Sequence, residues 1–443
     1  NELNIKISDL EAYLNRINEA IDNNKQLSAN DTAFTDKEKM TDLINLANQK
    51  KPGLNAYYLD GSEALADKVQ ELIRDRVESA RFVVKQNTGI HFAAFDYRLV
   101  DDKPSLITIE PARAFFLAFE SKLALQNLEP SVKFTILESN IQNSGGDCGM
   151  FSLFFIKKML KEYSAFGEIH SSNVDGTLPT KQAGLVDMEG SDKLLPASLF
   201  KHTQSRKRLL AYLKANPSAT LTPVNKQGQN LPDRQAAEIA SIVDENGRTI
   251  RYNRSIELKR KKEIANLLAS FKLANAHDIV KAQIDLAIKD RRVLVFSGFS
   301  GLGYENVAEL RKKISDIMDA ELKYVDGDAS KLLVVAGATS DGIGLVYKVA
   351  KAKNINGLGI VSEVGAKWAV DGIDVISVPD PDKSWKVLAP DGHSYMVNVA
   401  KSNGIYIALG GGEVAVSEIK DAIYQGVPVI IDDSFKPDPI KVA

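Results

Sequence analysis

Cysteine is nearly absent: Cys148 is the only one in 443 residues. A single thiol excludes an intramolecular disulfide and a multi-cysteine zinc site. Histidine is scarce too, with five copies. Charge of one sign is missing: 56 Lys and Arg stand against 58 Asp and Glu, for a net charge of −2. That balance excludes non-specific attachment to nucleic acid or anionic membrane as the main activity. No apolar run approaches the ~18 residues that a membrane span requires. The chain begins at Asn1, without a methionine or a charged-then-apolar leader. The expectation is a trimmed N-terminus, with any export signal lying outside the chain. What remains, 44% hydrophobic and 26% charged residues, suffices for a full globular core over two or three domains.

The first part, residues 1–78, reads as helical. IKISDLEAYLNRINEAI has apolar residues at helical spacing, Thr35-Asp-Lys-Glu38 has the form of a capping box, and Ser62–Val77 fits a third helix. Residues 79–200 mix strand-like segments (RFVVKQ, HFAAFDYRL, SLITIEPA, KFTILES) with apolar helical runs at Arg113–Leu125 and Gly149–Leu160, which predicts an α+β core. Residues 201–275 are polar and basic. From residue 285 to 443 strands alternate with helices and end in glycines, the pattern of an α/β doubly wound parallel sheet. The boundary is expected near residues 275–290.

Within the core, Cys148 breaks the habits of a structural cysteine, which sits among apolar neighbours. It follows Ser144-Gly145-Gly146-Asp147 and opens the run GMFSLFFIKKML. A thiol at a helix N-terminus sits where the backbone dipole favours thiolate, which suits a nucleophile. A nucleophile needs a base and an orienting group. His91 heads one strand-like segment and Glu110 ends the next, so adjacent strands could bring imidazole and carboxylate together. Gln142 lies where its amide could stabilise an oxyanion, together with a backbone N–H at the helix start. On the residues alone, His91 as a satisfied structural histidine and Glu110 as a solvated strand end remain open.

His91, Glu110 and Gln142-Asn-Ser-Gly-Gly-Asp-Cys148-Gly resemble the cysteine-enzyme clan of the SUMO- and adenovirus-type proteases. More closely, HFAAFDYR, SLITIEPA, QNSGGDCGMFSLFFIKKM and LPASLFKHTQSRKRLLAYL resemble the YopJ family of bacterial effector acetyltransferases, from about residue 30 to residue 265. The resemblance implies a protease-like fold and a Cys148–His91–Glu110 triad. It implies ping-pong transfer of acetyl from acetyl-CoA, through a cysteine thioester, to serine, threonine or lysine of host signalling proteins such as kinases, after secretion into the host cell. Lys201 matches a lysine that members autoacetylate. The family's activator is inositol hexakisphosphate. Arg251, Arg254, Lys259, Arg260, Lys261 and Lys262 supply cations for it, and Arg113, Lys226, Arg254 and Lys259 are the expected ligands; a solvated helix face is the alternative for such a run. The same triad would serve a cysteine isopeptidase acting on ubiquitin-like tails.

The segment after residue 285 lies outside that resemblance. Its glycine turns around Gly298, Gly337-Ala-Thr-Ser-Asp-Gly342-Ile-Gly344 and Gly410-Gly411-Gly412-Glu413 follow strands, where backbone N–H groups can approach a phosphate. The third turn resembles the Gly-Gly-x-Gly-Thr-x-x-Glu motif of LOG-like Rossmann folds, departing from it at Val414-Ala415. A phosphorylated nucleotide-type ligand is expected at Gly337, Gly342, Gly344, Gly411 and Gly412, with Glu418 accepting from a ribose or base. Tight strand-to-helix turns alone would also explain these glycines. On this ligand-binding reading the chain would be a sensor with a vestigial enzyme domain.

Overall fold

The computed structural model describes residues 1–87, 89–113 and 115–443. The chain divides into two compact units, Asn1–Ser270 and Phe271–Ala443. The division falls inside one 34-residue helix, Ser255–Ile288.

Unit one is built on a six-stranded mixed sheet in sequence order: β1 (Ala56–Asp60), β2 (Ser79–Lys85), β3 (Phe92–Val100), β4 (Lys103–Glu110), β5 (Lys133–Glu138) and β6 (Leu185–Val186). The β2-β3-β4 core is antiparallel, and the flanking pairs are parallel. Nearly every residue of β2, β3 and β4 is buried, as expected of a sheet covered on both faces. The Ser62–Arg74 helix lays Leu65 and Val69 against one face, over Phe82, Val84, Phe95 and Tyr97. The Cys148–Lys161 helix packs on β3 and β2 with its apolar residues buried. Register places Ala94 opposite Ile109, so β3 begins where β4 ends. This juxtaposition positions the candidate site.

Three local expectations fail for identifiable reasons. The helical reading of residues 1–78 misses β1, a five-residue strand whose stability comes from pairing with β2, a non-local partner. Thr35-Asp-Lys-Glu38 caps nothing. The helix runs Ala29–Lys50 with Ser28 as N-cap, and Asp36 turns inward to Tyr13 and Arg260. The basic region contains a hairpin, β7 (Ile239–Val243) with β8 (Thr249–Asn253).

Unit two carries six strands, all parallel: β9 (Arg292–Gly298), β10 (Leu332–Ala336), β11 (Asn356–Ser362), β12 (Asp374–Val378), β13 (Gly404–Leu409) and β14 (Val429–Asp432). Their spatial order is β12-β11-β10-β9-β13-β14. The chain winds outward from β9 to β12, then returns to β9's other side with β13, which makes the β9–β13 seam a topological switch point. Apolar clusters cover both faces, one around Val295, Val335 and Tyr406, the other around Phe296, Val334 and Ile407.

The turn after β10 is held by backbone contact. Ile343 N–H donates to Phe299 O at 2.7 Å, and Gly342 has φ +58°. A Cβ on Gly342 would stand 2.1 Å from that same carbonyl oxygen. Gly342→Ala should therefore lower the stability of unit two by more than ~1 kcal/mol, through both clash and left-handed strain. Chemical denaturation checks this, and an unchanged unfolding midpoint would show that the turn yields freely.

Candidate active site

Three segments meet at the carboxyl end of β4. Glu110 is its last residue, His91 immediately precedes β3, and Cys148 is the first residue of its helix. Glu110 is fully buried, and its Oε1 lies 2.6 Å from His91 Nε2 while also accepting the Ala112 N–H. The Cys148 side chain is the other group that acts on this imidazole, raising its pKa together with Glu110. Cys148 is 2% exposed, with Sγ 3.8 Å from the Ile90 carbonyl oxygen.

Burial alone would lower the His91 pKa. The hydrogen bonds to Cys148 and Glu110 and the charges of both outweigh it, raising the imidazole to about 10. Burial pushes the Glu110 carboxyl up, while His91 draws it back down. We place the shared proton on the imidazole. Glu110 Oε2 is buried and has no hydrogen-bond partner among the described residues. A folded pKa above the ordinary 6.5 means that His91 contributes stability below pH 6.5 that is lost as pH rises through about 10. Among the other four histidines, His170 is fixed by Ser105 and Asp96, His202 by Ser255, His277 by Tyr395 and His393 by Asp421.

The loop before Cys148 is clamped from several sides. Gln142 is buried; its Nε2 donates to the Ser144 carbonyl at 2.7 Å and its backbone N–H to Pro111 O. Gln204 Oε1 accepts the N–H groups of Asn143 and Ser144. Ser144 Oγ and Tyr252 both donate to Asp147 Oδ2. Gly146 lies so close to Ala29 that a Cβ would sit 2.6 Å from that residue's carbonyl oxygen. Arg260 then ties the loop to the rest of the unit. Its Nη2 reaches Asp147 Oδ1 at 2.6 Å and Asp36 Oδ2 at 2.9 Å, all three side chains being buried. Burial opposes the guanidinium charge, but the two carboxylates more than restore it and push its pKa up. The sequence reading counted Arg260 only among the cations and missed Gln204, Asp147 and Asp36. None carries a local pattern that marks it.

The expected inositol-phosphate ligands are scattered. Arg254 is buried, pairs with Glu257 at 2.6 Å and donates to the carbonyls of Ile21 and Lys25. Arg113 is exposed and donates to Asn140; Lys226 is exposed on the Asn225–Gly228 turn. Lys259 does join a cluster. Burial, then the charges of Arg234, Lys259, Lys262 and Lys161, lower the Lys201 pKa to about 8. Lys158 falls to about 8 through burial and the charges of Lys161 and Lys201. Glu263 takes Lys157 and Lys259, and Glu238 takes Arg234, so the cations outnumber their partners.

In unit two, the expected glycines have mixed roles. Gly342, as above, and Gly344, whose Cβ would stand 2.1 Å from Thr339 O, serve loop packing; Gly411, at φ +122°, would meet Ala415. Gly337 and Gly412 face open space. Glu418 lies at the crevice with its carboxylate already accepting from Ser394 Oγ at 2.7 Å and Tyr406 Oη at 3.2 Å, and burial raises its pKa to about 7.

A family model described as YopJ Serine/Threonine acetyltransferase matches residues 10–266. The serine/threonine-protein acetyltransferase YopJ of Yersinia pestis is 34% identical over 206 residues, 45% of this chain and 71% of that protein. The structure of an AvrA deletion variant with IP6 and CoA superposes with a TM-score of 0.54 at 32% identity, covering 59% of this chain and 98% of that one. HopZ1a in complex with IP6, at 23% identity and a TM-score of 0.50 over 61% of this chain and 98% of that one, shares the fold.

Replacing Arg260 by methionine should cost about 3–5 kcal/mol of stability, because two carboxylates would be left buried without their cation. Urea denaturation measures it. A loss below ~1 kcal/mol would mean that water or another cation takes over the site.

Proposed function

Because the chain belongs to the YopJ serine/threonine acetyltransferase family, we propose that unit one is an effector acetyltransferase working through a Cys148–His91–Glu110 triad. The observation that carries this reading is the imidazole bridging a buried carboxylate and the single cysteine of the chain. With its pKa raised to about 10, His91 already holds the proton it shares with Cys148, and Glu110 stabilises that imidazolium. The Cys148 sulfur attacks the thioester carbonyl of acetyl-CoA. The tetrahedral oxyanion lies against the first-turn N–H groups of the Cys148–Lys161 helix, which lack helical acceptors, and the remaining amide N–H of Gln142. Its collapse expels the CoA sulfur, which takes the His91 proton, and leaves acetyl on Cys148. A serine or threonine hydroxyl of a host protein, with kinases among the candidates, then gives its proton to His91 and attacks the acetyl-cysteine. The ester departs, and the regenerated thiol recovers the proton.

Lysine acceptors fit the same second step only as neutral amines. With its pKa near 8, Lys201 has a neutral fraction of about a tenth at pH 7, which supports its assignment as an autoacetylation site. AvrA and HopZ1a, named with IP6, extend inositol hexakisphosphate to this chain as activator. We assign its phosphates to Lys158, Lys161, Lys201, Arg234, Lys259 and Lys262, whose mutual repulsion a polyanion would relieve.

Cys148→Ala should abolish acetyl transfer with the fold intact. Glu110→Gln should retain a residue of activity, reduced by about 10²–10⁴-fold, because it only orients and stabilises the base. Radiolabelled transfer to a protein acceptor checks both, and activity in a folded Cys148→Ala protein would remove the mechanism.

Calorimetry tests the anion site. Lys158 and Lys201 are cationic below pH 8 and become neutral above it. Affinity for IP6 should fall as pH rises through 8, with proton uptake on binding. Replacing both lysines by methionine should weaken binding on the order of 10- to 100-fold. Binding that is insensitive to pH and to both substitutions would place the anion elsewhere.

A further inference from the structure

One crevice of unit two belongs to no part of the acetyl-transfer chemistry. It encloses about 910 Å³ along the carboxyl ends of β9, β10 and β11 and the loop after β13. That is the switch point of the sheet, where open parallel sheets hold their ligands, and the volume lies in the range of small-molecule sites. Glycines keep it open: Gly337 and Gly412 both line it, and neither Cβ would meet an atom within 4 Å.

Its aromatic lining is distinctive. The chain has two tryptophans, and both are in this crevice. Trp368 and Trp385 stack with centroids 5.8 Å apart and planes at 24°, yet remain 59% and 52% exposed. Trp385 is held there at a backbone cost: its φ is +64°, a region bulky residues avoid. Asp380, buried, fixes that conformation by accepting the Trp385 N–H at 2.8 Å, the Ser384 N–H and the Ser384 hydroxyl. The ring also packs on Gly365, where a Cβ would come within 3.1 Å of it. Strain maintained to present an exposed indole is expected where a ligand uses that indole.

The charge of the lining selects the ligand class. No lysine or arginine lines the crevice, while Asp341 and Glu413 do. Lys367 lies over the Trp368 ring, 4.2 Å from its centroid, outside the lining. Glu413 opens the Glu413–Tyr424 helix and already places a carboxylate at its N-terminus. These carboxylates repel a phosphate but accept hydroxyl donors. We propose that the crevice binds a nucleoside-type ligand, a planar heteroaromatic ring joined to a hydroxylated sugar, with the ring against Trp368 and Trp385 and the hydroxyls donating to Asp341 and Glu413. This replaces the phosphorylated ligand expected from the glycine turns.

The two tryptophans make the test specific to the site. Adenosine, guanosine, cytidine and uridine, each titrated up to about 1 mM into the full chain, should include at least one that quenches tryptophan fluorescence saturably. Its 5′-monophosphate should bind more weakly. Gly412→Leu, whose Cβ would meet no atom within 4 Å and whose side chain adds bulk to the crevice lining, should abolish the quenching while circular dichroism stays unchanged; Gly337→Leu is the substitute should that variant fail to fold. Absence of saturable quenching by all four nucleosides, quenching that survives a folded crevice-filling variant, or tighter binding of the monophosphate would each overturn the proposal.

Discussion

Unit one depends on one buried cation shared by two carboxylates. Arg260 lies between Asp36 of the Ala29–Lys50 helix and Asp147, the residue before Cys148. A guanidinium taken out of water at this depth is sustainable only with its charge and donors met, and removing it would leave two carboxylates uncompensated in the interior. The pairing fixes three pieces of chain that are remote in sequence. Through Asp147, Ser144 and Gln204 it sets the loop that delivers Cys148 to the start of its helix. The neighbouring residue of Arg260, Lys259, belongs to the cation cluster around Lys201. One turn of a single helix therefore carries both the brace of the nucleophile loop and part of the proposed activator site.

The sheet makes the complementary contribution. Antiparallel β3 and β4 bring the entry of one strand beside the exit of the other, so His91 and Glu110 become neighbours although nineteen residues apart. The carboxylate is completely enclosed, which strengthens its hold on the Nε2 proton of His91 and leaves the other ring nitrogen to exchange a proton with the thiol. A base raised to about 10 and a thiol bonded to it form a pair suited to exchanging a proton as the sulfur is acylated and released.

The legibility of these features in the sequence follows from their physics. His91, Glu110 and Cys148 are rare types, or stand at strand and helix ends, where local pattern and position coincide. The six strands of the second sheet are short apolar runs, three of them (β9, β10 and β13) closed by glycines, and are equally readable. The cation cluster was not, because Lys158, Lys161, Lys201 and Arg234 come from segments whose proximity is purely tertiary. Arg254 is a like case: a charge run on a helix does not reveal which side chain turns inward to Glu257. The Thr35–Glu38 signature fails because the helix already begins at Ala29, capped by Ser28, which leaves Thr35 in its interior. At Gly342 and Gly344 sequence could identify the turn but not its cause, which is a carbonyl oxygen 2.1 Å from each missing Cβ.

The central claim is that Cys148 carries the acetyl group between donor and acceptor. Brief incubation of the protein with isotopically labelled acetyl-CoA and IP6, without an acceptor, followed by acid quench and peptide mass spectrometry, tests it most directly. The account predicts label on the peptide containing Cys148, released by hydroxylamine as a thioester should be and discharged when a serine- or threonine-bearing acceptor is added before the quench. Label that moves to acceptor while the Cys148 peptide never carries it would contradict the account and require direct transfer from acetyl-CoA.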